Sequence, residues 1–220
     1  MKTELQNTSD GSHTLFVPEL NEHYHSSFGA VQESMHVFIR SGLMNLPDEV
    51  SEVNILEMGF GTGLNALLSW IFRRRWRISY TTYEAFPLES EIVKTLNYPA
   101  LPDFENTGDF FLKIHQAPWN QKVRIDPQFE IEKCLQPFEN ANLPENHFHL
   151  VFYDAFSPEV QPQLWTLEIF QKIFSSCHDG AILVTYSAKG EVKRNLQNVG
   201  FHVEKLPGPP GKRHILRGRK

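Results

Sequence analysis

Three glycines at alternating positions, Gly59, Gly61 and Gly63, separate a short apolar run, Val53 to Met58, from a helical apolar pattern at Leu64, Leu67, Leu68 and Ile71. The run predicts a buried strand and the pattern predicts a helix over Leu64–Phe72. Strand, tight turn and helix in this order make a ligand cradle. Glycine lets the backbone turn and lets a ligand approach the main chain. The helix start presents unpaired N–H groups and the positive end of its dipole. The spacing is G-x-G-x-G, which departs from the G-x-G-x-x-G of dinucleotide sites. Glu57, two residues before the first glycine, would meet a pyrophosphate unfavourably but can pair with a cation. Both features point to S-adenosylmethionine, whose sulfonium and amino groups are positive. A strand–helix turn without a ligand is the competing reading.

The pattern of strand followed by helix recurs. Ile78–Ala85 predicts a second strand, ending at Glu84, and Leu88–Leu96 a helix. An acid at the end of this second strand suits the ribose hydroxyls of a nucleoside; alternatively it caps the next helix at Pro87-Leu88. His149–Tyr153 is a buried strand ending in Asp154, followed by a helix over Pro162–Phe174, a strand over Ala181–Ser187 and a helix over Glu191–Val199. Phe201–Leu206 and His214–Leu216 can pair as a C-terminal antiparallel hairpin. The proline-rich stretch 97–147 is less regular, with a third strand expected near Val123–Ile125 or Phe129–Leu135. Before the glycines, Thr14–Pro18 predicts a strand and Ala30–Ile39 a helix, while residues 1–12 are polar and read as loose. The alternation implies an α/β fold with a mainly parallel sheet, in which ligands lie beyond the carboxyl ends of the strands. Gly59, Glu84, Asp154 and Ser187 all fall at such ends.

The chain has 220 residues, enough for one domain with a substantial core. It has no apolar run of the roughly 18 residues a membrane helix needs, and Met1–Asn7 lacks a signal-peptide core. Its two cysteines, Cys134 and Cys177, form no disulfide framework, which implies a reducing cytoplasm. Cysteine and histidine are not grouped at zinc-ligand spacing, so no metal is expected. The net charge of −5 is uneven. Residues 189–220 hold nine Lys and Arg against two Glu, a net +7 that leaves −12 for residues 1–188. That asymmetry suggests a surface facing a polyanion, or else a solvated basic end.

Asp154 is the residue best placed for chemistry on an amine. Methylating an amine requires a free lone pair aimed in line at the methyl group, which is mostly a matter of positioning. A carboxylate at this strand end can orient the amine and take its proton. Phe156 can flank a flat base. A helix N-cap or a buried structural pair is the alternative role for Asp154. Tyr24 and Glu33, in or near an aromatic loop before the sheet, are further candidates for covering the cofactor; a packing role is the alternative for either.

These residues resemble a known family. Glu57-Met58-Gly59-Phe60-Gly61-Thr62-Gly63-Leu64-Asn65, Tyr83-Glu84-Ala85-Phe86-Pro87 and Tyr153-Asp154-Ala155-Phe156-Ser157-Pro158 look like the tRNA wobble-uridine methyltransferases of the MnmC/MnmD type. So do Tyr24-His25-Ser26 with Gln32-Glu33-Ser34, Thr185–Gly190 with Val192, Lys193, Arg194 and Leu196, and the Pro207–Arg213 segment. The resemblance covers about residues 20–220. It implies a class I S-adenosylmethionine-dependent methyltransferase, a Rossmann-like α/β fold with a mainly parallel sheet and a C-terminal antiparallel hairpin. It also implies a single domain over 1–220, with 13–50 an N-terminal extension and 51–220 the core.

The implied reaction is methylation of the aminomethyl group of 5-aminomethyl-(2-thio)uridine at the tRNA wobble position, in the cytoplasm. The FAD oxidase domain of long family members is expected to be absent from this chain. The implied cofactor residues are Tyr24, Glu57, Gly59, Phe60, Gly61, Thr62, Gly63, Asn65, Glu84 and Asp154, with Asp154 also catalytic. The implied substrate residues are Phe156, Lys189, Lys193, Arg194, Lys212 and Arg213. The acidic cofactor residue expected before the fourth strand has no clear counterpart in Glu130–Leu135. Other outcomes of the same residues are a class I methyltransferase or aminopropyltransferase acting on another amine, and an RNA-binding protein with a vestigial cofactor fold.

Overall fold

The computed structural model describes residues 2–47 and 49–220; Met1 and Asp48 lie outside the described residues. β1 (Glu4–Asn7), β2 (His13–Val17) and β3 (Glu22–His23) form a small antiparallel sheet in that order. The stretch 1–12, read as loose from its polarity, thus contains a paired strand. Its side chains are mostly exposed, and it is held by backbone pairing to β2, whose Leu15 and Val17 are buried. α1 (Ala30–Ser34) runs on into a wider π-helical turn, Met35–Arg40, which together cover the predicted helix.

From β4 (Glu52–Met58) onward strands and helices alternate. In order come α2 (Leu64–Ile71), β5 (Arg77–Glu84), α3 (Ser90–Thr95), α4 (Gly108–Gln116), β6 (Lys122–Asp126), β7 (Phe129–Leu135), β8 (Phe148–Tyr153), α5 (Leu167–Ser176), β9 (Cys177–Thr185), α6 (Gly190–Asn198), β10 (His202–Pro207) and β11 (His214–Arg219). They build an eight-stranded sheet of order β10-β11-β9-β8-β4-β5-β7-β6. The central strands β9, β8, β4, β5 and β7 are parallel, and β6 and β11 run antiparallel to their neighbours. Both candidate segments for the third strand are strands: β7 joins β5, and β6 folds back on its outer side.

The predicted helix over Pro162–Phe174 is two elements. A 3-10 turn spans Pro162–Trp165 and α5 starts at Leu167. Thr166 is extended and its hydroxyl accepts the Ile169 N–H at 3.4 Å, an N-cap that restarts the helix.

Alternation along the strands splits the core into two layers. Val53 and Ile55 of β4, with Tyr80, Ile131 and Phe152, face α2, α4 and the π-helical turn. Leu56 and Met58, with Tyr83, Val151 and Tyr153, face α5 and α6. The chain leaves β4 for β5 on one side and returns to β8 on the other. The carboxyl ends of β4 and β8 therefore flank a reversal of strand order, where open α/β sheets bind ligands.

Candidate active site at the carboxyl ends of the parallel strands

The glycine loop leaves β4 in the left-handed backbone region, with φ of +87° at Gly59, +48° at Gly61 and +72° at Gly63. Side chains are excluded here by space as well as by φ. A Cβ on Gly61 would lie 3.1 Å from the Tyr24 ring, and one on Gly63 would lie 2.7 Å from His115 Nε2. Gly59 N–H donates to the Tyr83 carbonyl at 2.9 Å, tying the loop to the end of β5. From that end Glu84 returns the contact. Its Oε2 accepts the Gly61 N–H at 3.0 Å and its Oε1 accepts the Phe86 N–H at 2.8 Å.

Two histidines, to which the sequence assigns no role, hold Thr62 in the middle of the loop. His25 Nε2 lies 2.7 Å from Thr62 Oγ1, and His115 Nε2 donates to the Thr62 carbonyl at 3.2 Å. Burial pulls both imidazoles down to about 4, so both are neutral at pH 7.

A cavity of about 470 Å³ opens between this loop and the end of β8. Tyr24, Gly59, Phe60, Gly61, Thr62, Asn65, Glu84, Asp154, Phe156 and Lys212 all line it. Asn65, in the first turn of α2, donates from Nδ2 to Asp154 Oδ2 at 2.8 Å. Burial first, then the neighbouring carboxyl of Glu33, raises the Asp154 carboxyl well above its ordinary range, while Asn65 and Lys212 oppose the rise. Tyr24 and Phe156 meet edge to face at 5.3 Å. Five carboxyl groups line the cavity, those of Glu22, Glu33, Glu84, Glu139 and Asp154, against the single ammonium of Lys212.

Other candidates lie elsewhere. Glu57 is fully buried and does not line the cavity. Strand alternation puts it on the same face as Ile55, opposite Thr82 in the register. Burial raises it to about 8, which favours the uncharged form at neutral pH. Gly63 shapes the loop without lining the cavity. Lys189, Lys193, Arg194 and Arg213 also lie off the lining, and Lys189 pairs with Glu159.

The far wall of the cavity is assembled from residues distant in sequence. Tyr186 donates its hydroxyl to the Ala155 carbonyl at 2.8 Å, and Lys212 Nζ lies 4.2 Å from the Tyr186 ring centre while pairing with buried Glu33. Gln136 and Phe138, just past β7, line the edge at which the resemblance implies an acid. Their signal was position: they follow a parallel strand.

Residues 109–220 match a family model described as S-adenosyl-L-methionine-dependent methyltransferase. The chain belongs to this family of S-adenosyl-L-methionine-dependent methyltransferases. The fold is accordingly the class I methyltransferase fold, and the cofactor is S-adenosyl-L-methionine. The chain is 29% identical over 218 residues to the tRNA 5-methylaminomethyl-2-thiouridine biosynthesis bifunctional protein MnmC of Nitrosospira multiformis, covering 93% of this chain and 35% of that one. It is 31% identical over 216 residues to the protein of the same name from Idiomarina loihiensis, covering 89% and 35%. The chain thus spans about a third of the length of these curated relatives. Among solved structures, MnmC2 from Aquifex aeolicus superposes with a TM-score of 0.81 at 26% identity, covering 99% of this chain and 70% of that one. Spermidine synthase from Thermotoga maritima shares the fold at a TM-score of 0.55 and 12% identity, covering 100% and 72%.

The residues present suit this methyltransferase's cofactor. The cavity has the size of a small-molecule site, the left-handed loop offers bare backbone to a nucleoside, and the carboxyl-rich lining suits a sulfonium. Among the described residues no helix is long and apolar enough to cross a membrane, and no group of three or more His, Cys, Asp or Glu could hold a metal ion.

Proposed function

We propose that this chain methylates the aminomethyl nitrogen of 5-aminomethyl-(2-thio)uridine at the wobble position of tRNA, in the cytoplasm. The observation that carries the reading is the acidic cavity with Asp154 beside the glycine loop. A primary alkylamine is cationic at neutral pH, and five carboxyl groups against one lysine select a cation. The names of the MnmC relatives and the likeness to MnmC2 support the same substrate.

The cofactor supplies an electrophilic methyl group on its sulfonium. Glu84 and the Gly59–Gly63 backbone would hold its nucleoside part, and Tyr24 and Phe60 would wall it in. Asp154, fixed by Asn65 at 2.8 Å, orients the substrate nitrogen toward that methyl. A bound cationic amine favours the carboxylate form of Asp154, whose own proton leaves to solvent as the amine binds. The carboxylate takes one proton from the ammonium, which frees the lone pair for attack. A carboxyl whose proton affinity is raised by burial is a better base than an ordinary aspartate. Phe156 and Tyr186 flank the uracil ring, and Arg213, with Lys193 and Arg194, meets phosphates.

The test is nucleoside analysis of tRNA carrying 5-aminomethyluridine after incubation with the protein and methyl-labelled cofactor. Label in 5-methylaminomethyluridine supports the reading. Label in another nucleoside, or none, overturns it.

A further inference from the structure

The exposed large hydrophobic side chains include four leucines and two phenylalanines, and the phenylalanines are the most exposed of them: Phe28 at 53% and Phe86 at 57%. Both line the mouth of the same cavity. Phe86 follows the Glu84 end of β5, so it belongs to the cofactor side. Phe28 sits on the opposite side, against the loop that joins β10 to β11. A Cβ on Gly211, where φ is +83°, would collide with the Phe28 ring, so backbone packs directly on the aromatic side chain.

That loop is tied down at several points. Gly208 N–H donates to the Arg213 carbonyl at 3.1 Å, and Lys212 N–H donates to the Pro209 carbonyl at 2.9 Å. His36 Nε2 donates to the Pro207 carbonyl at 2.8 Å, and Lys212 pairs with Glu33. Arg213, two residues past Gly211, is exposed and forms no salt bridge among the described residues. The rim therefore presents a half-bare aromatic packed on Gly211, with an exposed arginine two residues further along the same tied loop. Single-stranded nucleic acid meets this pairing well: bases stack on aromatic faces while cations track the backbone.

We infer that Phe28 and Arg213 form a platform for the nucleotide next to the methylated one, Phe28 stacking on its base and Arg213 meeting its phosphate. This rests on the reading of the substrate as RNA. It adds a subsite at the mouth of the catalytic cavity that selects a base in a loop over a free nucleoside.

The test is the affinity of the full chain for an anticodon stem–loop oligonucleotide, read by fluorescence anisotropy in the wild type, Phe28→Ala, Phe28→Trp and Arg213→Gln. Phe28→Ala should weaken binding about 10-fold, the usual scale for losing one stacked base. Phe28→Trp should bind like the wild type. Arg213→Gln should weaken binding and reduce the salt slope by about one. Cofactor affinity, measured by calorimetry, should be unchanged by Phe28→Ala. Wild-type RNA affinity in Phe28→Ala, or an equal loss in Phe28→Trp, overturns the platform, as does a matching loss of cofactor affinity. Because binding is read without turnover, failure of the platform is distinct from failure of the methylation reading, which shows as the absence of labelled nucleoside.

Discussion

Residues 59–65 and residues 189–220 are both dense in functional residue types, and the fold treats them differently. In the first stretch, neighbours in sequence work together. Glycines, threonine and asparagine fold over one cavity because the turn is set by local backbone freedom and by the helix that follows. In the second stretch, neighbours in sequence part company. Lys189 pairs with Glu159 and Lys212 turns inward to Glu33. Arg217 binds Glu204 at 2.7 Å and Asn45 Oδ1 at 2.7 Å. Lys220 donates to the carbonyls of Phe174 and Cys177 at 3.1 and 2.7 Å. A local motif keeps its meaning in the fold, whereas a charge count over thirty residues is redistributed by topology.

The largest test of that contrast is truncation. Read as a basic end, residues 207–220 look removable, yet β11 lies between β9 and β10 and buries Ile215 and Leu216 completely. Its deletion exposes those side chains and an interior ladder. That loss should exceed much of the roughly 5–15 kcal/mol that stabilises a domain. Thermal melting by circular dichroism should show no cooperative transition. A cooperative melt with intact cofactor binding would make the segment an appendage.

A smaller effect is expected at the loop. Glu84→Ala should weaken cofactor binding by roughly 2–3 kcal/mol, since hydrogen bonds to a carboxylate are the strong ones and the loop also loses its tie at Gly61. Calorimetric titration measures this directly, and unchanged affinity in a folded variant would remove Glu84 from the cofactor site.

Glu57 offers the smallest and most diagnostic change. Its folded pKa, raised from 4.5 to about 8 by burial, means that the folded state holds a proton that the unfolded chain has released between those values. Stability therefore falls as pH rises through that window. Glu57→Gln removes this dependence, so between pH 5.5 and pH 7 it should lose about 2 kcal/mol less stability than the wild type in denaturant titrations. Parallel pH profiles would show Glu57 to be charged in the folded protein, as a cofactor ligand would be.

The parts legible in the sequence are those in which one element carries its own signal. Val53–Met58 with the glycines, and His149–Tyr153 with Asp154, each announce a strand end and the residue on it. The wall formed by Tyr186, Lys212 and Glu33 was not legible as a unit, because three segments far apart in sequence supply it. Thr62 likewise depends on His25 and His115, both distant in the chain. Glu57 has the right spacing from the glycines, but strand alternation buries its side chain beside Ile55, a placement that spacing alone does not carry. In the proline-rich 97–147 region the elements are too short for periodicity to accumulate, so Gln136 and Phe138 show only once β7 is placed beside β5.

The central claim is that Asp154 acts on the substrate amine inside the acidic cavity. Single-turnover methylation of tRNA carrying 5-aminomethyluridine, with cofactor and RNA saturating, compares wild type with Asp154→Ala on the chemical step itself. The rate should fall by roughly 10²-fold or more, with cofactor and tRNA affinities nearly unchanged and partial activity in Asp154→Asn. A near-wild-type rate in Asp154→Ala, or a rate loss that follows lost cofactor affinity, would contradict it.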